Sequence, residues 1–255
     1  MSDYLVTGGA SGIGLAVTGL LRSQGHQVLT VDLAAADVTA DLGTEQGRAA
    51  AVEAAPAALA GVVTCAGLAG LTGRPPEPVV SVNYFGTVDL LEGLRPKLAH
   101  GASLVAVASN SATVFPGWDT DVVAACLAGD ETAARSFAAG RDSTAAYAAS
   151  KAAVARWVRR QAPSWAESGI RVNAVMPGLV ETPMSAAIAQ DEHYGPLIGA
   201  LPVPVGRPGR AEEIAAVIAF LLSDAAGFFC GSVLLCDGGS EALLRPDDWP
   251  ARWEA

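Results

Sequence analysis

Histidine and cysteine are scarce in this 255-residue chain, and their arrangement limits the chemistry that they can support. The three histidines form neither an H-x-x-x-H nor an H-E-x-x-H pattern, so the sequence predicts no metal site. None of the four cysteines belongs to a C-x-x-C pair, which favours free thiols in a reducing cytoplasm over disulfides. The pattern G-x-S-x-G is also absent, so a Ser-His-Asp hydrolase lacks its local signature.

Charged residues and long apolar runs are limited as well. Charged residues make up 16% of the chain and hydrophobic residues 51%, a composition typical of a buried sheet. The net charge is −10 and the Lys and Arg residues are scattered, which argues against a nucleic-acid or anionic-membrane partner. No apolar run is long enough to span a membrane and no signal pattern is present, so we expect a cytoplasmic protein. The length and the lack of linkers or repeats predict a single domain, 1–255.

Glycine, in contrast, is frequent, and one glycine cluster has a recognisable setting. Residues 4–7 are typical of a short buried strand, residues 8–14 form a glycine-rich turn, and an apolar-periodic run then predicts a helix. Gly8 allows a sharp turn, Gly12 lets the backbone approach a pyrophosphate, and Gly14 lets helix and strand pack closely. The helix N-terminus offers free N–H groups to the anion, so a dinucleotide site is predicted, with an ordinary tight turn as the alternative.

The second predicted strand, residues 27–31, ends at Asp32. An acidic residue about 20 positions after the glycine-rich turn can hydrogen-bond the ribose hydroxyls of NAD, and it repels the 2′-phosphate of NADP. No arginine follows Asp32 directly, so the sequence predicts NAD as the cofactor. The alternative is an aspartate that merely caps a turn.

Four further apolar runs are typical of buried strands, namely 61–65, 104–108, 170–176 and 233–239. With the first two strands and the helical stretches between them, they predict an α/β Rossmann fold, a doubly wound parallel sheet of about seven strands with helices on both faces. Ser109 and Ser111 follow the run 104–108, at the edge where open parallel sheets bind their ligands. Either serine could instead be a simple turn residue.

An alanine-rich stretch, residues 144–167, predicts a long helix with a possible kink at Pro163. Tyr147 and Lys151 lie four residues apart, so they share one face of this helix. A cation roughly 4 Å from a phenolate stabilises it by up to ~4 kcal/mol at an effective dielectric of ~20. That would bring the pKa of the tyrosine from about 10 to roughly 7, so that it exchanges protons with an alcohol oxygen. The same spacing also occurs by chance, so this interpretation needs support from other segments.

Together these residues resemble the short-chain dehydrogenase/reductase family over nearly the whole chain. The pieces that carry the resemblance occur in the family's order: Thr7-Gly8, Gly12-Ile13-Gly14, Asp32, Asp41, Asn83, Ser109, Tyr147, Lys151, Pro177-Gly178 and Thr182. The resemblance implies that Tyr147 is the catalytic acid/base, that Lys151 lowers its pKa and holds the nicotinamide ribose, and that Ser109 hydrogen-bonds the substrate oxygen. Ser111 is the rival for the serine role, and Ser109 is preferred because it directly follows the apolar strand, as in the family. It further implies that Asn83 holds a water that links Lys151 to solvent.

The resemblance also implies a set of cofactor-binding residues. Asp41 and Leu42 would contact the adenine, the backbone of 65–67 would line the adenosine ribose, and Val180 and Thr182 would hold the carboxamide. The full implied set is Gly8, Ser11, Gly12, Ile13, Gly14, Asp32, Asp41, Leu42, Cys65, Ala66, Gly67, Tyr147, Lys151, Pro177, Gly178, Val180 and Thr182. Cys65 departs from the family, which usually has asparagine there, and a thiol cannot replace an amide's hydrogen bonds.

Cys65, the run 82–86 and a long segment before Tyr147 resemble a bacterial subgroup of hydroxysteroid dehydrogenases and carbonyl reductases. The resemblance implies an NAD(H)-dependent enzyme that interconverts a hydrophobic secondary or aryl alcohol and its carbonyl. A steroid is the first expected substrate and a terpene or phenylpropanoid alcohol the second, and a non-enzymatic NAD-binding sensor on the same fold is the alternative. The subgroup implies a homodimer, whereas homotetramers are commoner in the family.

Apolar residues around the expected pocket favour a hydrophobic alcohol or ketone, and they are Val114, Phe115, Trp118, Met184 and Ile188. The extra segment 115–143 is expected either to cover this pocket or to form a subunit contact. Proline and glycine are dense over residues 196–209, which predicts a mobile lid or its hinge. The tail, residues 245–255, is predicted to dock on a neighbouring subunit.

Overall fold

The structure, a computed structural model, describes residues 2–249, and its centre is a seven-stranded parallel sheet. The strands of this sheet are Asp3–Thr7 (β1), Gln27–Asp32 (β2), Val38–Thr39 (β3), Leu59–Thr64 (β4), Leu98–Val107 (β5), Arg171–Pro177 (β6) and Val233–Cys236 (β9). A separate two-stranded pair is formed by Val180–Glu181 (β7) and Gly209–Arg210 (β8). The strand order β3-β2-β1-β4-β5-β6-β9 changes direction between β1 and β4, so a ligand crevice opens there at the carboxyl edge.

Helices cover both faces of the sheet. Their bounds are Gly12–Ser23 (α1), Glu45–Ala54 (α2), Pro76–Val80 (α3), Gly86–Leu94 (α4), Ser111–Val114 (α5), Thr120–Leu127 (α6), Glu131–Ala138 (α7), Ser143–Ala166 (α8), Pro183–Ala189 (α9), Tyr194–Gly199 (α10), Ala211–Leu222 (α11) and Ser240–Leu244 (α12). Helices α1 and α11 pack in one apolar layer, whereas α2, α4 and α8 pack in the other.

The alternation of strand side chains explains this double layer. Leu5 of β1 and Val62 of β4 belong to the layer of α2, α4 and α8, and they are fully buried. Their neighbours Val6 and Val63 belong to the layer of α1 and α11. Successive side chains of a strand point to opposite faces, so a strand covered on both sides has to be apolar throughout. The predicted α/β Rossmann fold is confirmed.

Two segments differ from their predicted form. The sequence predicts one long helix that begins near Val79 and contains Asn83, but in the structure the helix begins at Pro76, and a π-helical turn, Ser81–Phe85, joins α3 to α4. Such turns often lie at functional sites, and this one contains Asn83. The short strand β3 lacks an apolar run, so its sequence gave no signal for it.

Helix α8 carries Tyr147 and Lys151 and begins close to the predicted position. Asp142 caps it, because its Oδ1 accepts hydrogen bonds from the N–H groups of Thr144 at 2.8 Å and Ala145 at 2.9 Å. The helix continues through Pro163 to Ala166. The assignment of 1–255 to one domain stays a prediction, and the tail from residue 250 onward, with Trp253, lies outside the described residues.

Candidate active site

One cavity of about 950 Å³ lies at the carboxyl edge of the sheet, beside the crevice between β1 and β4. The glycine-rich turn, the ends of β2, β4, β5 and β6, helix α8 and the segment after β7 all contribute to its wall. Every predicted site residue except Asn83 lines this cavity. The fold therefore gathers residues from seven separate parts of the chain around one space.

The glycine-rich turn has a shape that only glycine permits. Gly8 has a φ of +65°, and a Cβ on it would lie 2.7 Å from the backbone nitrogen of Ala66. A Cβ on Gly14 would collide with the Gly8 carbonyl. Gly12 has a φ of +50°, and a Cβ on it would lie 3.2 Å from the Thr182 Cγ2. The backbone is thus bare where a pyrophosphate would approach the N-terminus of α1, so these residues fit a dinucleotide.

Asp32 lies at the end of β2 and lines the same cavity. Its carboxylate accepts hydrogen bonds from the N–H of Ala10 at 3.0 Å and of Leu33 at 2.7 Å. It therefore caps the local turn, as the alternative interpretation supposed. Each carboxylate oxygen can accept a second hydrogen bond, so the same group can also receive ribose hydroxyls.

The Cys65 position shows what replaces the family's asparagine. The Thr7 hydroxyl accepts a hydrogen bond from the backbone N–H of Ala66 at 3.1 Å, and the Cys65 N–H donates to the Thr7 carbonyl at 3.2 Å. Burial raises the pKa of the Cys65 thiol to about 12, so the thiol stays neutral. The strand ends are braced by Thr7 and the backbone, and Cys65 supplies only a small apolar surface.

Ser109, Tyr147 and Lys151 meet on one wall of the cavity. Burial raises the pKa of the Tyr147 phenol, and the nearby Ser109 hydroxyl lowers it by a smaller amount. Lys151 is buried, and its Nζ donates to the Val107 carbonyl at 2.8 Å. Burial lowers the pKa of Lys151 to about 8.

The predicted fall of the Tyr147 pKa to near 7 is therefore wrong for this structure. The Lys151 Nζ lies 5.8 Å from the centre of the Tyr147 ring and is hydrogen-bonded elsewhere. The cost of removing a phenolate from water is the largest effect on the phenol, and it raises the pKa. At neutral pH the Tyr147 hydroxyl is protonated.

Asn83 lies behind this wall and is fully buried. Its Oδ1 accepts the N–H of Leu68 at 2.8 Å, and its Nδ2 donates to the Leu68 carbonyl at 3.1 Å and to the Ser150 hydroxyl at 3.2 Å. The amide thus ties the loop after β4 to the catalytic helix. Its water-holding role stays a prediction.

The turn with Ser109 and Ser111 is hydrogen-bonded to residues far along the chain. Asn110, between Ser109 and Ser111, is buried, and its Nδ2 donates to Asp237 Oδ2 at 3.3 Å. The Ser111 N–H donates to Ser109 Oγ at 3.2 Å. Arg245 reaches the carbonyl of Thr113 at 3.0 Å. Residues near the carboxyl end of the described chain therefore fix the geometry of the Ser109 turn.

The rest of the cavity wall is apolar. Val114, Phe115, Met184 and Ile188 line it as predicted, but Trp118 does not. The Trp118 ring packs under the Arg156 guanidinium at 4.7 Å, and its Nε1 donates to the Ala112 carbonyl at 3.0 Å. Trp118 therefore stabilises the segment rather than the pocket.

A segment after β7, residues 183–201, also contributes to the lining of the cavity. Asp191 accepts hydrogen bonds from both the N–H and the hydroxyl of Thr72, each at 2.7 Å. Tyr194 donates to Asp142 Oδ1 at 3.0 Å. These contacts join positions more than a hundred and about fifty residues apart, so no local pattern indicated them.

Within residues 2–249, no group of three or more His, Cys, Asp or Glu side chains is placed to hold a metal ion. No helix in that part of the chain is long and apolar enough to cross a membrane.

Comparison with known proteins places this geometry in a wider group. The family model described as Enoyl-(Acyl carrier protein) reductase matches residues 139–241. The 3-alpha-hydroxysteroid dehydrogenase/carbonyl reductase of Comamonas testosteroni is 39% identical, over 96% of this chain and 99% of that protein. The cis-4-hydroxycyclohexanecarboxylate dehydrogenase of Sinomonas cyclohexanicum is 32% identical, over 94% of this chain and 96% of that protein.

Among solved structures, a 3-alpha-hydroxysteroid dehydrogenase from Pseudomonas sp. B-0831, complexed with NADH, superimposes with a TM-score of 0.93. It is 42% identical in sequence, and the alignment covers 97% of this chain and 100% of that one. The likeness therefore extends across the whole sheet and its helices and is not confined to the glycine-rich turn.

Proposed function

Because the chain belongs to the short-chain dehydrogenase/reductase family, and so is an oxidoreductase of alcohols and carbonyl compounds, we propose that it uses NAD(H) to interconvert a hydrophobic secondary or aryl alcohol and its ketone or aldehyde. The observation that carries this proposal is the meeting of Ser109, Tyr147 and Lys151 on the wall of the cavity that the glycine-rich turn opens into. In this proposal the chain acts as one domain and as a homodimer or homotetramer.

Tyr147 acts as the proton donor and acceptor. Since burial raises its pKa, the hydroxyl is protonated at neutral pH and donates its proton to a carbonyl oxygen during reduction. During oxidation the phenolate accepts the proton of the alcohol, so this direction is faster at higher pH. The nicotinamide, when bound, supplies or accepts the hydride.

Ser109 and Lys151 assist Tyr147 in different ways. The Ser109 hydroxyl lies near the phenol on the same cavity wall, so it can bond the same substrate oxygen and hold it beside Tyr147. Lys151 is charged below a pH of about 8, and its ammonium stabilises the negative charge that develops on the phenol as the proton leaves. It would also hold the nicotinamide ribose.

The choice of NAD over NADP rests on Asp32. Its carboxylate lines the cavity and already accepts two N–H groups, so a 2′-phosphate beside it would meet a like charge without a compensating cation. The NADH that accompanies the similar Pseudomonas enzyme supports the same choice.

For the substrate, the apolar wall favours a bulky hydrophobic alcohol. Val114, Phe115, Met184 and Ile188 line the same cavity as Ser109 and Tyr147. A hydroxysteroid is the first candidate, supported by the likeness to the Comamonas and Pseudomonas enzymes. A terpene or phenylpropanoid alcohol is the second.

The test is a substrate panel with the purified protein. Hydroxysteroids, monoterpene alcohols and aromatic alcohols are each offered with NAD and with NADP, and reduced cofactor is followed by its absorbance. We expect turnover with NAD and at least one member of the panel, with the Tyr147→Phe variant as the inactive control. Binding of NADH without turnover of any member would reject the enzymatic proposal.

A further inference from the structure

The segment 115–143 is packed against the end of the cavity where the adenine is expected. Glu131, at the start of α7, forms an ion pair with Arg48 at 2.7 Å. Arg48 is buried, donates to the carbonyl of Leu42 at 3.2 Å and pairs with Asp89 at 3.3 Å. Leu42 itself lines the cavity. An ion pair with the buried Arg48 therefore links α7 to the residue that is expected to contact the adenine.

Arg135 lies one helical turn after Glu131, on the same side of α7. Its Nη1 donates to the hydroxyl of the buried Ser81 at 2.7 Å, and the arginine lines the same cavity. Ser81 directly precedes Val82, whose Cγ2 would lie 3.0 Å from a Cβ on Gly43. Arg135 is thus anchored beside the Leu42–Gly43 end of the cavity.

Arg135 also has no acidic partner in the part of the chain that the structure describes. This is notable in a protein with a net charge of −10. The guanidinium is exposed on one side, and only one of its nitrogens bonds to Ser81. A planar cation held by one edge leaves its face and its other N–H groups available to an aromatic ring that carries acceptor nitrogens.

We propose that Arg135 contacts the adenine ring of bound NAD(H), so that the segment 115–143 forms part of the cofactor site. This inference rests on the proposed use of NAD(H). The guanidinium packs on the adenine or donates to one of its ring nitrogens, with Ser81 and the Glu131–Arg48 pair fixing its position. Arg135 then adds to the affinity for the adenosine half of the cofactor and takes no part in proton or hydride transfer.

The test measures binding as well as activity. The variant Arg135→Met keeps a long side chain but removes the charged, planar guanidinium group. Its affinity for NADH is measured by fluorescence titration. ADP-ribose, which lacks the nicotinamide, is titrated by calorimetry. We expect both dissociation constants to rise by a similar factor, about tenfold, as for a lost cation–π contact. With saturating NADH, kcat and the KM for the alcohol or ketone should stay within about twofold of the unaltered protein.

Arg159→Met is the matched control, because Arg159 is exposed on α8 and does not line the cavity. Arg135→Lys, which keeps the charge without the plane, should give intermediate dissociation constants. Equal ADP-ribose affinity in Arg135→Met and the unaltered protein would overturn the proposal. So would a higher KM for the alcohol with unchanged NADH affinity, because Arg135 would then face the substrate. If the unaltered protein binds NADH but turns over no substrate, the proposed function fails while this inference is still decided by the titrations.

Discussion

The Asn110–Asp237 contact permits a quantitative test of how the Ser109 turn is held. In the substitution Asn110→Asp, two carboxylates face each other where the amide nitrogen and a carboxylate oxygen now lie 3.3 Å apart. At an effective dielectric of ~20, two unit charges at this distance repel each other by about 5 kcal/mol. Asp237 is half-buried, so water screens part of this repulsion, and we expect a net repulsion of about 2–4 kcal/mol. At ~1.4 kcal/mol per pKa unit, this repulsion raises the pKa at which the variant pair takes up one proton by roughly 1.5–3 units.

The expected result is a new limb in the pH profile of the variant. Below this pKa the pair shares a proton, the hydrogen bond is kept, and kcat approaches that of the unaltered enzyme. Above it the two carboxylates separate and displace the Ser109 turn. A displacement near 1 Å lowers kcat by about 10²-fold. The assay is the ratio of kcat between variant and unaltered enzyme, measured across pH with saturating NADH and substrate, together with NADH affinity.

The reciprocal change provides the control. Adding Asp237→Asn to Asn110→Asp restores one amide facing one carboxylate, so most of the activity above neutral pH should return. It will not return completely, because Asp237 also accepts the N–H groups of Gly239 at 3.0 Å and Glu241 at 2.8 Å. A ratio that does not vary with pH, or a double variant no better than Asn110→Asp alone, would refute the role of this contact.

Three further predictions concern the catalytic wall and the cofactor. Tyr147→Phe should lower kcat by about 10² to 10⁴-fold, the usual contribution of a positioned acid/base, while NADH titrations give a dissociation constant within about twofold. Because the pKa of Tyr147 is raised, kcat for alcohol oxidation should increase with pH through and beyond neutrality. Over the same pH range kcat for carbonyl reduction should stay level. A pH series in which kcat for oxidation does not change would contradict this prediction. Asp32→Ser should raise kcat/KM with NADP relative to NAD by about tenfold or more, since a like charge beside the 2′-phosphate is removed, and an unchanged ratio in parallel assays would overturn the role of Asp32.

The parts of this protein that the sequence predicted are those with local causes. Gly8, Gly12 and Gly14 lie within seven residues of one another and follow a strand, so the shape of their turn depends on short-range geometry. Tyr147 and Lys151 share a helical face for the same reason. Asp32 follows its strand directly. Each of these residues lines the cavity as predicted.

The parts that were missed depend on distant neighbours. The pKa of Tyr147 is raised by atoms that pack around it after folding. The position of the Lys151 ammonium relative to Tyr147 depends on its hydrogen bond to the Val107 carbonyl, at the end of β5. Arg135 reaches the cavity because Glu131, at the start of α7, pairs with Arg48, which lies 83 residues before Glu131 in the chain. Trp118 was expected in the pocket because it is apolar, but an indole also needs a partner for its N–H and finds the Ala112 carbonyl.

The hydrogen bonds from the Ser109 turn to Asp237 and Arg245 have a consequence for biosynthesis. The Arg245 bond spans 132 residues, so a nascent polypeptide has made the glycine-rich turn, the tyrosine helix and most of the sheet before the serine acquires its support. A growing chain on the ribosome could therefore sequester dinucleotide before it can turn over an alcohol. Activity would begin only when the segment around residue 245 has left the exit tunnel and docked.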